Sequence, residues 1–259
     1  MRLLLALLAG LFLAAFIVLA AERAMAPATG PVPVPAVAAP SSPVGSERPG
    51  TADARPPTAQ ALWVQARQVA WPALQAKAEA GDAEAQFRRG MATLLGSFGE
   101  PDAAEGRRWL SRAAEQGHAR ASNALGELLA LGEFAEPDYP KATAYFQAAW
   151  KAGEPMGLVN LGILAEEGAG RSKDAAEALR CFRQAADKGC AAALVRLGVI
   201  SHDGDLLPKD DRQAVVYYRQ AAEKGSKEGW MNLAIAHQRG QGTPRDPSAA
   251  LACARQAWN

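Results

Sequence analysis

The sequence predicts an all-α solenoid of stacked helix pairs, and three observations carry that expectation. Alanine supplies 59 of the 259 residues and only 17 are aromatic; high helix propensity and small side chains favour closely packed helices over a sheet. Glycine recurs at Gly81, Gly117, Gly153, Gly189 and Gly225, each 36 residues after the last. Aspartate keeps the same interval at Asp102, Asp138, Asp174, Asp210 and Asp246. A fixed period of this size is the mark of a repeat array.

Two further columns keep the register. One reads Gly90, Gly126, Gly162, Gly198 and then Ala234; the other reads Gly96, Gly132, Gly168, Gly204 and Gly240. Each unit divides into two helices. The second helix starts at the aspartate, whose side chain accepts a hydrogen bond from a free backbone N–H. Glu177, three residues after Asp174, predicts a reciprocal capping box, and Asp102 with Glu105 and Asp210 with Gln213 repeat the device. Asp246-Pro247 places proline at the first helical position. The helix ends at the Gly189-type glycine, which supplies a left-handed cap. The first helix of the next unit then runs on, for example over 191–202. Small residues fall where helices must approach closely, at Ala85, Ala121, Gly157, Ala193 and Gly229, and at Ala113, Ala149, Ala185, Ala221 and Ala257. Leu110, Phe146, Phe182 and Tyr218 fill the space beside them. Neither helix buries its apolar stripe alone, so adjacent units must stack.

The chain ahead of the repeats has a different character. Leu3 to Ala21 form an uncharged apolar run of 19 residues, closed by Glu22 and Arg23. That is nearer the length of a spanning helix, about 20 residues, than the shorter apolar core of a cleaved signal. Ala24-Met25-Ala26 resembles a cleavage site, but Pro27 follows it directly, and Val18-Leu19-Ala20 is a second candidate. Residues 1–25 are therefore expected to be an uncleaved signal-anchor, with a removed signal peptide as the alternative. No cysteine precedes Cys181, which excludes a lipoprotein signal. Residues 26–60 hold nine of the 17 prolines, so 26–57 are expected to form a disordered proline- and alanine-rich spacer. Residues 58–81 are expected to be N-terminal cap helices divided or kinked at Pro72. The five 36-residue units fill 82–259.

Charge and motifs exclude several functions. Residues 61–259 carry 24 basic and 24 acidic groups with no basic stripe, so no attraction to nucleic acid is expected. Gly168-x-Gly170 and Gly240-x-Gly242 lack the strand and the lysine-serine or lysine-threonine of a phosphate loop. His118, His202 and His237 never reach metal-ligand spacing with one another or with a cysteine. HExxH, SxxK and GxSxG are absent. No metal, cofactor or catalytic residue is expected.

Leu161-Gly162, Gly168-Ala169-Gly170, Asp174, Ala178 and the run Phe182 to Gly189 together resemble the Sel-one-like repeat, a relative of the tetratricopeptide repeat. Tyr217 to Gly225 and Trp109 to Gly117 are similar in the same way. The resemblance covers roughly residues 82 to 259. It departs from the pattern at Arg89, where leucine usually precedes the glycine, and at Ala234, which replaces the glycine itself. It implies a right-handed superhelix whose first helices line a concave binding face, and no particular chemistry. On that geometry Arg120, Asn123, Glu127, Glu166, His202, Gln238 and Arg239 lie on or near the face; each is equally readable as a solvated polar position. Cysteine-rich members pair their cysteines within a unit. Here Cys181 sits mid-helix and three cysteines leave one over, so buried free thiols are expected.

The function expected is a non-catalytic protein–protein interaction adaptor or scaffold of a bacterial cell envelope, binding a protein or peptide partner. The repeat domain is placed in the periplasm, tethered to the inner membrane through residues 3–21. A soluble periplasmic or secreted product is the alternative location. A cell-wall- or β-lactam-directed enzyme, like some cysteine-rich relatives, is the alternative function, and the missing SxxK motif weighs against it.

Overall fold

The computed structural model describes residues 70–132 and 136–258, and every regular element among them is helical. Helix α1 (residues 70–79) runs through Pro72. Five helix pairs follow: α2 (Ala83–Leu94) with α3 (Ala103–Glu115), α4 (Ala119–Leu131) with α5 (Tyr139–Lys151), and α6 (Pro155–Glu167) with α7 (Ala175–Asp187). Then come α8 (Ala191–Asp203) with α9 (Asp211–Glu223), and α10 (Lys227–Arg239) with α11 (Pro247–Trp258). The apolar run 3–21, the spacer 26–57 and residues 58–69 lie outside the described residues. No helix among the described residues is long and apolar enough to cross a membrane.

The predicted caps form. Asp102, Asp138, Asp174 and Asp210 each accept a hydrogen bond from the backbone N–H three residues on. Asp246 accepts from Ser248 and Ala249. The reciprocal half of the capping box is not what closes these turns. Glu177 instead pairs with Arg171 and Arg180. The N–H of Asp174 donates to the carbonyl of Ala165, nine residues back in the partner helix. All five aspartates do the same, toward Thr93, Leu129, Ala165, Ser201 and His237. The donor that a capping glutamate would satisfy is already engaged in tying the two helices together.

The turn between units is equally uniform. Gly81, Gly117, Gly153, Gly189 and Gly225 all have positive φ. The next residue's N–H donates back to the second helix, as His118 does to Ala113 and Ser226 to Ala221, the pattern of a Schellman cap.

Within a unit the glycine of the first helix receives the bulky residue of the second. A Cβ on Gly126 would stand 2.5 Å from the Phe146 ring, one on Gly162 2.6 Å from Phe182, and one on Gly198 2.4 Å from Tyr218. These are closer than packed carbons allow, so the column must be glycine wherever the opposite column is aromatic. The alanines at 113, 149, 185 and 221 are fully buried beside them.

Units then stack in sequence order. The first helices α4, α6 and α8 each approach the next first helix, while successive second helices do not meet in this way. That difference places the first helices on the inner side of the stack and the second helices on the outer side. The apolar clusters run across unit boundaries. Leu179 and Phe182 pack with Ala193 and Leu197 of the following unit, and Val215 packs with Leu233 and Trp230. The three cysteines are free thiols, with Cys181 buried.

Candidate functional site

The inner helices carry the polar residues that sequence singles out, and their geometry is a series of seams between neighbouring units. At the seam between the first two units, Glu84 accepts from Arg120 at 2.7 Å, from Arg88 at 2.7 Å and from His118 Nε2 at 2.9 Å. His118 also caps α4, its Nδ1 accepting from the Ala121 N–H. A ring protonated on Nε2 alone makes both bonds. The hydrogen bond from His118, with the Arg88 and Arg120 guanidiniums, holds the Glu84 carboxyl down to about 2 against partial burial. Phe87 stacks on the His118 ring at 4.8 Å, and the Arg120 guanidinium lies 4.9 Å from the Phe87 centroid.

The second seam is buried and uncharged by pairing. Asn123 donates to Glu127 Oε1 at 2.9 Å, and Asn160 of the next unit donates to Asn123 Oδ1 and Glu127 Oε1, each at 3.0 Å. Glu127 is only 1% exposed, and its Oε2 has no hydrogen-bond partner among the described residues. Burial pushes its carboxyl up to about 7 in spite of the two amide donors, and the nearby Glu154 carboxylate adds to the rise.

At the third seam Glu166 accepts a hydrogen bond from Arg196, whose guanidinium lies 5.7 Å from the Phe182 centroid. His202 pairs at 2.5 Å with Asp211 of its own unit. Gln238 and Arg239 are exposed at the end of α10, and the Gln238 carbonyl accepts from Arg245.

Of the seven residues singled out by sequence, Arg120, Asn123, Glu127 and Glu166 are thus drawn into contacts between units. His202 is held within one unit, and Gln238 and Arg239 stand free of the seams. Asn123 and Glu127 are buried; the other five retain solvent exposure. Sequence reading passes over their partners Glu84, His118, Asn160 and Arg196. Opposite charges in one column, Glu84 and Arg120, are 36 residues apart and were readable as a pair. Glu166 and Arg196 are 30 apart, an offset set by how units rotate against one another.

Arg89, the departure from the leucine column, is buried and ion-paired with Glu79 of α1 and Glu105 of α3. Its guanidinium lies 4.0 Å from the Trp109 centroid. The polar residue is there because the first unit meets α1 and not another repeat. Among the described residues no group of three histidine, cysteine or acidic side chains is arranged to hold a metal ion. The arrangement is suited to presenting a rigid surface.

Comparison with known proteins agrees with this architecture. The Sel1 repeat family model matches residues 83–118, 119–154, 155–190, 191–226 and 231–257. No curated protein matches the chain. A solved protective antigen present in uropathogenic Escherichia coli strains, which displays an SLR fold, is 32% identical with a TM-score of 0.57. That match covers 72% of this chain but only 40% of the antigen, so the chain spans about two fifths of its length. A Sel1 repeat protein from Oxalobacter formigenes is 30% identical over 69% of this chain and 71% of its own, with a TM-score of 0.55. An immunity protein from Pseudomonas aeruginosa shares the fold at 21% identity and a TM-score of 0.53, over 68% of this chain and 64% of its own. Repeats of this kind typically mediate protein–protein interaction and are generally non-catalytic. With five consecutive matches in register with the five helix pairs, the chain belongs to the Sel1 repeat family.

Proposed function

We propose that the chain is a non-catalytic adaptor or scaffold of a bacterial cell envelope that holds a protein or peptide partner along the inner face of its solenoid. The observation that supports this most is the succession of first helices against one another. It makes one continuous inner surface, with Arg120 and His202 partly exposed and Gln238 and Arg239 exposed along it. Polar side chains already fixed by ion pairs lose little freedom when a partner docks, which favours binding.

Envelope placement rests on sequence. The apolar run Leu3 to Ala21 is long enough to anchor the chain, and the proline-rich stretch behind it suits a spacer. That one relative is a protective antigen accords with an exported domain.

Crosslinking of the full chain in cells, followed by mass spectrometry, tests the reading. A specific partner is expected, and Gln238→Ala, at an exposed position free of the seams, should reduce its recovery without lowering the melting temperature. Failure to enrich any partner would sink the adaptor role, as would turnover of muropeptides or β-lactams by the purified protein. Fractionation tests the location: recovery in the cytoplasm overturns it, and a soluble periplasmic product shows that residues 1–25 are removed.

A further inference from the structure

Two columns of the inner helices face one another across a seam, and at the third seam both hold sulfur. One column lies in the first turn of a first helix; the other is the N-cap of the next first helix. At the first seam they hold Glu84 and His118, which bond at 2.9 Å. Two units further on they hold Met156 and Cys190, and the Cys190 thiol donates to the Met156 thioether at 3.9 Å. Arg120 with Glu154, and Ala192 with Ser226, fill the same columns at the other two seams. Cys190 also departs from its own column: Asp82, His118, Glu154 and Ser226 accept a capping bond there, and Cys190 accepts none. The cysteine gives up a cap, and what it gains is a second sulfur within reach. Met156 and Cys190 are both half-buried, so they remain open to solvent while bordering the apolar cluster that contains Leu158 and Leu197.

A thiolate and a thioether are the softest donors among side chains, and together they suit a soft monovalent ion such as Cu(I). Zinc instead takes four ligands drawn from nitrogen, oxygen and thiolate, which this pair does not supply. With metal–sulfur bonds of about 2.3 Å, sulfurs 3.9 Å apart subtend an angle of roughly 115° at a bridging ion. That is close to the trigonal angle, so one ion fits between the two side chains without a backbone shift. The geometry points to a two-sulfur site for a single Cu(I)-like ion, held between the Cys190 thiolate of the fourth unit and the Met156 thioether of the third. The third trigonal position is left for a ligand from solution. A thiolate with a monovalent ion carries no net charge, which suits the apolar border of the site. The ion takes the place of the proton that the thiol donates to the thioether. The S–H bond breaks, the metal–thiolate bond forms, the proton passes to water, and no oxidation state changes. Burial pushes the Cys190 thiol up, the Ala193 and Ala192 N–H groups at the start of α8 draw it down, and the Glu154 carboxylate adds to the rise. At neutral pH the metal-free site therefore holds a thiol, and each ion bound releases one proton.

Anaerobic titration of the full chain, purified in mild detergent, with Cu(I) against the coloured chelator bicinchoninate tests this. One ion per chain is expected, with an affinity that rises about tenfold per pH unit because one proton is released. Cys190→Ser should abolish binding. Met156→Leu keeps the volume but removes a ligand, and should weaken binding by about tenfold or more while the thiol remains. Cys253→Ser, which removes a half-buried thiol of the fifth unit, should leave binding unchanged. Circular dichroism should show the same helicity in all three variants. Alkylation by iodoacetamide, mapped by mass spectrometry, gives a second measurement: Cu(I) should protect Cys190 and leave Cys253 as reactive as before. Absence of stoichiometric Cu(I) binding overturns the proposal, as does binding that survives Cys190→Ser. Equal affinity in Met156→Leu also overturns it, since the thiol alone would then hold the ion. So does Zn(II) bound through Cys190 as tightly as Cu(I).

Discussion

Phe182 occupies the space that a side chain on Gly162 would need: a Cβ there would stand 2.6 Å from the ring edge. Close approach of the two helices and the volume of the aromatic residue are one requirement met by two residues 20 positions apart. Gly162→Ala should therefore destabilise the protein by roughly 1–3 kcal/mol, through overpacking that outweighs the gain in helix propensity. Thermal or urea unfolding measures the loss. Combining Gly162→Ala with Phe182→Leu should recover part of it, and independent, additive effects would contradict the account.

Glu127 sets a pH dependence of opposite sign to most carboxylates. Its folded-state value is raised to about 7, so between about 4.5 and 7 the unfolded chain has released a proton that the folded chain retains. The stabilising contribution is complete below about 4.5 and is lost as pH rises through 7. Glu127→Gln, which keeps an acceptor for Asn123 and Asn160, should remove this slope and raise stability at pH 8 by about 2–3 kcal/mol. Urea titrations at pH 5 and pH 8 give the comparison; equal slopes in parent and variant would refute it.

Glu84 acts in a different window. Its carboxyl is held down to about 2, so its contribution is present above about 4.5 and falls away as pH drops toward 2. Glu84→Gln should flatten the acid limb of the stability profile and leave the limb above pH 5 to Glu127. Raising the salt concentration should diminish the Glu84 contribution, since that carboxylate is partly exposed and screened.

Cys190 is the weak member of the first-helix caps. Asp82, His118, Glu154 and Ser226 all accept a backbone hydrogen bond at that position, while the Cys190 side chain makes no cap bond. Cys190→Ser should stabilise α8 by about 0.5–1 kcal/mol, set against the loss of the sulfur contact with Met156. A melting curve of the variant decides the sign.

The helices and their caps were legible because each depends on residues within one unit. Asp174 caps α7 whatever its neighbours do, and the Gly189-type turns need only a residue that tolerates positive φ. The seams depend on the rotation from one unit to the next, which no single period encodes. Asn123 and Glu127 read from sequence as groove residues because polar side chains on a first helix are normally solvated. Here Asn160 closes over them from the next unit. Ala234 looks like a lapse in the glycine column until its opposite column is read: Phe146, Phe182 and Tyr218 give way to Ala254, and with a small residue opposite glycine is no longer required.

Because each seam is made from different groups, the units are not interchangeable, and the array resists editing by whole repeats. Loss of residues 119–154 would keep the period intact but bring α6 directly against α2. The Asn160 amide would then face Phe87 and Met91, apolar side chains that offer it no acceptor. Loss of residues 155–190 would set Arg196 against Glu127, exchanging a neutral seam for a charged one and abolishing its response to neutral pH. A lineage that gained or lost a unit by recombination would have to rebuild its seams before the new array was as stable as the old. The chemistry between units therefore fixes the number and order of repeats that the shared period alone leaves open.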